Sequence, residues 1–237
     1  MRGGLFLYKE GIMKAIMKYF ILSIDDGTVY DKKVIPILNR HKIKGTFNLN
    51  SGLEDFVWYN EGRPVKRLHL EENKELYEGH EVASHSLTHP HLTQCCNDHI
   101  GYEAGVDMEN LGRVFARPIR SFAFPFEDFD ERSINRIKAI GGLSAIRVSE
   151  IDRSFRFPID PFHIKITSLD VKEALELFPS FLEDKEAELF VFVSHAYDFE
   201  FNDTYAELEK LCEMVASAKD VRSIYTHELP VFMGLDH

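Results

Sequence analysis

The chain has 237 residues, a formal net charge of -11 and no long basic run. An acidic surface repels phosphate backbones and anionic membranes, so we expect neither nucleic acid nor a membrane as partner. Hydrophobic residues make up 44% of the chain, which is enough for a full-sized core. No apolar run approaches the ~20 residues that a membrane span requires.

The N-terminal residues do not have the pattern of a signal peptide. Charged side chains interrupt every apolar run there: Lys9, Glu10, Lys14 and Lys18. No small-residue cleavage site follows them. We therefore expect residues 1–18 to be an N-terminal extension, either disordered or the result of a misplaced start. The remainder, 19–237, contains no linker-like segment and is predicted to be one domain.

The cysteines point to a reducing compartment. Cys95, Cys96 and Cys212 are odd in number and sparse, so they give no disulfide framework. Because a secretion signal is not evident either, we expect the protein to be cytoplasmic. The sequence does not predict the oligomeric state.

Short apolar runs alternate with helical patterns along the chain. Strands are predicted at residues 19–24, 44–49, 80–84, 121–126, 143–148, 163–166, 189–193 and 223–226. Helices are predicted at residues 32–41, 70–78, 98–115, 131–140, 171–182 and 204–216. Residues 54–70 have the composition of a long loop. The alternation predicts an α/β fold with parallel strands, and this number of strands favours a barrel over an open sheet.

Polar residues follow several of the predicted strands. Asp25 and Asp26 follow the first strand, His85 follows the third with His89 one turn further, and His195 follows the strand at 189–193. In parallel α/β folds, ligands bind at the carboxyl ends of the strands. We therefore expect these side chains to converge on one face of the barrel.

Two imidazoles and one carboxylate can hold a divalent metal and leave positions open for water and substrate. The spacing of His85 and His89 places both rings on one side of a helical turn. A histidine pair of this kind is by itself more often a surface or core feature. The repeated placement of such residues at strand ends is what favours a metal site.

Four short stretches carry a family resemblance. They are SIDDG at 23–27, HSLTHP at 85–90, FAFPFEDFDER at 122–132 and FVSHAYDF at 192–199. In order and spacing the chain resembles the polysaccharide deacetylase family, the NodB-like carbohydrate esterases of family four. The resemblance implies a distorted (β/α)7 barrel and metal-dependent removal of acetyl groups from sugars.

The resemblance also implies a role for individual residues. It makes three residues the metal ligands: Asp26, His85 and His89. Asp25 would be the general base, His195 the general acid, and the backbone N–H of Phe126 would stabilise the oxyanion. The implied cofactor is one divalent transition metal, zinc first, with cobalt, nickel or iron as alternatives.

The chain departs from the family pattern at two positions. The third motif of the family often carries an arginine that pairs with the base, and SFAFPF has none. Arg147 on the following strand is the candidate replacement, with an ordinary salt bridge as the equal alternative. Glu127 stands where the family commonly has glycine, and a carboxylate near the oxyanion pocket would alter the substrate cleft or narrow the loop.

Three functions remain open from the sequence. The first is a deacetylase of N- or O-acetylated carbohydrate, and the second a hydrolase of a non-peptide C–N bond in a small amide. The third is a catalytically retired carbohydrate-binding protein. Trp58 and Tyr59 would either stack on a sugar ring or cap the barrel. His163 would either line the cleft or be structural.

Overall fold

The structure is a computed structural model that describes residues 17–126 and 128–235. Most of the expected extension therefore lies outside the described residues, and its boundary stays a prediction. The first strand begins at Lys18, one residue before the predicted start. The Lys18 ammonium is buried and donates to the carbonyls of Phe181 and Leu182 at 2.7 and 2.6 Å, so this residue belongs to the fold.

The described part of the chain contains ten strands and eight α-helices. The strands are β1 Lys18–Asp25, β2 Gly45–Leu49, β3 Val57–Asn60, β4 Arg63–Lys66, β5 Glu81–Ser84, β6 Ser121–Ala123, β7 Ala145–Ile151, β8 Ile164–Ile166, β9 Leu189–His195 and β10 Val221–Ser223. The helices are α1 Asp31–His41, α2 Leu70–Asn73, α3 Asn97–Val114, α4 Glu131–Lys138, α5 Val171–Glu183, α6 Ala196–Phe201, α7 Tyr205–Ser217 and α8 Leu229–Phe232. None of these helices is both long and apolar enough to cross a membrane.

Eight parallel strands form one curled sheet. Its order is β10-β1-β2-β5-β6-β7-β8, and β9 pairs with β1 along its whole length. Ser168, just after β8, bridges to Phe192 in β9 and brings the two ends of the sheet together. The ring of β1, β2, β5, β6, β7, β8 and β9 confirms the predicted distorted (β/α)7 barrel, with β10 beside the start of β1.

β1 is buried on both faces, as its continuous apolar run predicts. Successive residues of a strand point to opposite sides. Ile21 and Val191 accordingly belong to a cluster of strand residues inside the barrel. Phe20 and Phe190 belong to the larger cluster outside it, where both pack against Phe178 of α5 with ring centroids 6.1 and 5.8 Å away.

Part of the predicted loop 54–70 is instead a hairpin of β3 and β4. Glu61 and Gly62 form its turn with φ of 48° and 74°, the left-handed pair that two-residue hairpins require. Glutamate is uncommon there, so these two residues do not indicate a hairpin by themselves. The helix predicted at 70–78 is also shorter, since α2 ends at Asn73 and a 3-10 turn follows.

The last strand is shifted relative to its prediction at 223–226. β10 ends at Ser223, and a 3-10 turn begins at Thr226. Thr226 donates its N–H and its hydroxyl to the Thr46 hydroxyl, at 3.1 and 3.0 Å. These side-chain contacts replace the ladder hydrogen bonds of a longer strand.

Candidate metal and catalytic site

The three predicted metal ligands lie together at the carboxyl ends of β1 and β5. Asp26 follows β1, His85 follows β5, and His89 is four residues further. Each offers one ligand atom, and these atoms all lie within 4.8 Å of one another. Asp26 and His85 are buried and His89 is partly exposed.

The backbone at this site is strained. Asp26, Ser86 and His89 have φ of 82°, 66° and 55°, in the left-handed region that costs free energy for residues other than glycine. The N–H of Asp26 donates to the Asn48 carbonyl at 3.0 Å, and the N–H of His89 to the Ser86 hydroxyl at 3.1 Å. These bonds hold the ligands in a conformation that the free chain would rarely adopt.

Helix α3 supports the loop that carries the histidines. Glu103 is buried and accepts two hydrogen bonds from Thr88, from the N–H at 2.8 Å and the hydroxyl at 2.7 Å. One turn further, Asp107 accepts from the Ser84 hydroxyl at 2.6 Å, directly before His85. Two buried carboxylates on one helix face therefore fix both ends of the loop.

His85 is in the form that binds a metal. Its Nδ1 lies 2.8 Å from the carbonyl of Ala123. Because a carbonyl only accepts, Nδ1 carries the proton and Nε2 keeps its lone pair. Burial lowers the pKa of His85 to about 3, so the ring is neutral at physiological pH. A neutral imidazole is the state that coordinates.

Asp26 is paired with Arg67, which the sequence analysis did not single out. The Arg67 guanidinium donates to Asp26 Oδ1 at 2.8 Å and to the Asp26 carbonyl at 2.6 Å. Burial alone would raise the pKa of Asp26, but the charge of Arg67 and the nearby imidazoles holds it well below its usual range. Arg67 also lies over the Trp58 ring, 4.9 Å from its centroid.

Asp25 is paired with Arg147. One guanidinium nitrogen of Arg147 lies 2.8 and 2.7 Å from the two Asp25 oxygens, and Asn48 donates to Oδ1 at 2.6 Å. Burial raises the pKa of Asp25, yet Arg147 and the histidines outweigh it and the pKa is lowered. Arg147 of β7 thus places beside Asp25 the positive charge that the third motif lacks.

His195, at the end of β9, faces the two aspartates. Its Nε2 lies 3.9 Å from Asp26 Oδ2, and its Nδ1 lies 3.0 Å from Asp198 Oδ2. Burial lowers the pKa of His195, but the bond to Asp198 and the three nearby carboxylates raise it to about 9. The sequence analysis did not predict a role for Asp198. Its position three residues after His195, at the start of a helix, is a spacing from which the pairing could have been predicted.

Phe126 stands in the turn after β6 with φ of 55°. Its ring stacks on His91 at 4.0 Å between centroids and meets His89 edge-on at 4.4 Å. The residue that follows, Glu127, lies outside the described residues. The ring of Phe126 therefore lies against the metal ligand His89, and the oxyanion role that the resemblance implies for its backbone N–H stays a prediction.

One cleft of about 720 Å³ contains all seven predicted site residues: Asp25, Asp26, His85, His89, Phe126, Arg147 and His195. Trp58 also lines it. Tyr59 does not and is 72% exposed, because neighbouring residues of β3 point to opposite faces. His163 lies elsewhere, in a separate cavity of about 440 Å³ beside α4.

The fold and this site together define an α/β barrel with paired carboxylates and histidines at its strand ends. A model of the polysaccharide deacetylase family matches residues 14–143, which is more than half of the chain. The chain belongs to the polysaccharide deacetylase family, a family of hydrolases that act on carbon–nitrogen bonds.

Among curated proteins, the chain is similar to the uncharacterized protein YlxY of Bacillus subtilis. The two are 26% identical over 119 residues, which is 50% of this chain and 34% of the relative. The chain therefore matches only about a third of the length of that relative.

Two solved structures have a similar fold. One is a family 4 carbohydrate esterase from Streptomyces lividans in complex with acetate, with 15% identity, a TM-score of 0.59, and coverage of 87% of this chain and 91% of that one. The other is a family 4 acetyl xylan esterase from Clostridium thermocellum in complex with a cobalt ion, with 14% identity, a TM-score of 0.61, and coverage of 92% and 93%. At this identity the likeness concerns the fold alone.

Proposed function

We propose that the protein is a metal-dependent hydrolase that removes acetyl groups from an N- or O-acetylated carbohydrate. The observation that carries this proposal is the convergence, in one cleft, of a three-ligand cluster with an ionised Asp25 and a charged His195. A ligand set, a proton acceptor and a proton donor are the parts that amide hydrolysis requires.

The ligand cluster fits a divalent transition metal. The donors are two imidazoles, of which His85 is neutral, and the ionised carboxylate of Asp26. Such a set suits zinc, and also cobalt, nickel or iron. When bound, the metal would polarise the acetyl carbonyl and lower the pKa of a water molecule towards ~7.

Asp25 would accept the proton of the attacking water. Arg147 and Asn48 orient its carboxylate, and its lowered pKa keeps it ionised at neutral pH. Arg147 contacts both oxygens and Asn48 contacts Oδ1, so the carboxylate is held in one orientation. Asp26 remains the ligand, so the two adjacent carboxylates have different roles.

His195 would deliver a proton to the leaving nitrogen or oxygen. An amide anion is a very poor leaving group, so this proton transfer is a requirement of amide hydrolysis. Asp198 binds Nδ1 and leaves Nε2–H directed towards the aspartates. The backbone N–H of Phe126 would donate to the developing oxyanion.

Asp25→Asn tests the proposal. A general base typically contributes ~10²- to 10⁴-fold, so acetate release by the zinc-loaded variant should fall by about that factor. Metal content should stay the same, because Asp25 is not in the ligand cluster. If the wild type releases no acetate yet binds acetylated sugars, and the variant binds them equally, the retired binding protein is the correct interpretation.

We also propose a cytoplasmic location. Cys95, Cys96 and Cys212 are all free thiols, and the first two are at least partly exposed. A reducing compartment keeps such adjacent surface thiols from forming disulfides. Cell fractionation should recover the protein with cytoplasmic markers, and recovery from the medium would contradict the proposal.

A further inference from the structure

The mouth of the cleft is apolar. Three large side chains that line it are well exposed: Phe56 at 51%, Phe126 at 46% and Leu169 at 36%. They come from separate connections, after β2, β6 and β8. Exposed apolar side chains that gather at one cleft, rather than being scattered singly, mark a binding surface.

Three further polar side chains among the described residues of the cleft already have partners. Besides the seven site residues, Arg67, Thr88 and Ser149 are the other charged or aliphatic-hydroxyl side chains among the described lining residues. Arg67 is held by Asp26, and the Thr88 hydroxyl donates to the buried carboxylate of α3 at 2.7 Å. The Ser149 hydroxyl donates to a backbone carbonyl at 3.2 Å. Each of the three therefore already donates to a partner within the protein.

Other lining residues are apolar or aromatic: Leu53, Phe56, Trp58, Phe124, Phe126, Ile166, Leu169, Val193 and Tyr197. Apart from the Tyr197 hydroxyl and the Trp58 indole N–H, these side chains cannot replace the hydrogen bonds that a sugar hydroxyl loses when it leaves water. An alkyl or aryl group placed there is favoured instead, because it leaves water.

We infer that the substrate carries an alkyl or aryl group next to its acetylated sugar, and that the apolar mouth of Phe56, Phe126 and Leu169 binds that group. This inference rests on the proposed hydrolase function and narrows its substrate class. A cleft of about 720 Å³ has the volume that accommodates one small ligand. The exposed apolar side chains at the mouth then favour an acetamido sugar with an apolar aglycone over one extended by a further sugar.

Binding can be measured by a signal other than acetate release. Trp58 is the only tryptophan in the chain and lines the cleft, so its fluorescence reports on a bound ligand. We would titrate the zinc-reconstituted protein with hexyl 2-acetamido-2-deoxy-glucoside and with N,N′-diacetylchitobiose, and follow Trp58 fluorescence. The two ligands share the acetamido sugar and differ in the group attached to it. From the free energy of burying a few methylenes, the hexyl compound should bind at least about tenfold more tightly.

Phe56→Ala and Tyr59→Ala are a matched pair of variants. Both remove an exposed ring from the same hairpin region, but only Phe56 lines the cleft. Phe56→Ala should reduce the preference for the hexyl compound by about fivefold, the value of one partly buried aromatic contact. Tyr59→Ala should leave it unchanged.

Three results would overturn the inference. They are chitobiose binding as tightly as the hexyl compound, equal effects of the two variants, and no binding of the hexyl compound by fluorescence or by calorimetry on the same samples. Failure of the proposed function is distinguishable, because acetate release is measured separately. If the hexyl compound binds tightly through Phe56 but no acetate is released, the inferred apolar site is correct and the proposed hydrolase function is wrong.

Discussion

Each of the two adjacent carboxylates has its own arginine. Arg147 binds Asp25 and Arg67 binds Asp26, and all four side chains are at most 8% exposed. Two buried anions side by side would otherwise repel each other, and burial would favour their protonated forms. The arginines therefore allow one carboxylate to coordinate while its neighbour stays ionised.

Removing Arg147 should be costly. Arg147→Met leaves Asp25 buried without its partner, and breaking a buried pair in this way typically costs about 3–5 kcal/mol. Urea denaturation should show a loss of this size, and Asp25→Asn in the same chain should recover part of it. Arg153→Met is the control, since Arg153 is 59% exposed and pairs with Glu173 on the surface. Equal losses for the two single variants would contradict the pairing argument.

The charge of His195 depends on Asp198. A general acid must be protonated, so activity should fall as pH rises through the pKa of His195, which is raised to about 9. Asp198→Asn removes a hydrogen bond and a negative charge, so the pKa falls and the descending limb should move down by about one pH unit. The profile of kcat/KM against pH measures the shift. If the descending limb of the pH profile does not move in Asp198→Asn, His195 is not the general acid.

At the scale of elements, α3 supports the metal loop. Glu103 holds Thr88, which precedes His89. Residues that orient ligands in this way typically affect metal affinity by ~10- to 100-fold. Glu103→Ala should therefore weaken zinc binding by about that factor, as measured by competition with a chelator.

Glu109→Ala is the matched control for that experiment. Glu109 lies on the same helix but is 75% exposed and pairs with the exposed Arg113. Its removal should leave zinc affinity unchanged. If both variants bind zinc like the wild type, α3 has no part in positioning the ligands.

Local patterns made part of the site predictable. β1 ends at Asp25 and His85 follows β5, so an apolar run followed by a polar residue locates both. Arg67 had no such signal, because it meets Asp26 from 41 residues away through a hairpin whose Glu61 turn is atypical. A contact that forms only through tertiary packing cannot be predicted from the residues that neighbour it in sequence.

For the whole molecule, stability should depend on pH through Asp31. It is fully buried, and despite hydrogen bonds from Tyr77 and Thr28 its burial raises its pKa from 3.8 to about 7. Between these values the folded state holds a proton that the unfolded state has lost. This contribution to stability is therefore present below the unfolded pKa and is lost as pH rises towards 7, by up to about 1.4 kcal/mol per pH unit.

Asp31→Asn removes that proton linkage. The free energy of unfolding of the variant minus that of the wild type should therefore increase as pH rises from 5 towards 7, as urea denaturation at several pH values would show. Asparagine keeps an acceptor for the Tyr77 hydroxyl, which lies 2.8 Å from Asp31 in the wild type. A difference between the two proteins that does not change with pH would contradict the raised pKa.

The overall architecture was the most predictable feature, because alternating strands and helices leave few arrangements for a parallel sheet. The central claim is that Asp26, His85 and His89 hold a metal. Metal content by plasma mass spectrometry tests it most directly, on zinc-reconstituted wild type, His85→Ala/His89→Ala and His163→Ala. We predict about one equivalent in the wild type and in His163→Ala, and loss in the double variant. Equal metal content in all three proteins, or none in the wild type, would contradict the account.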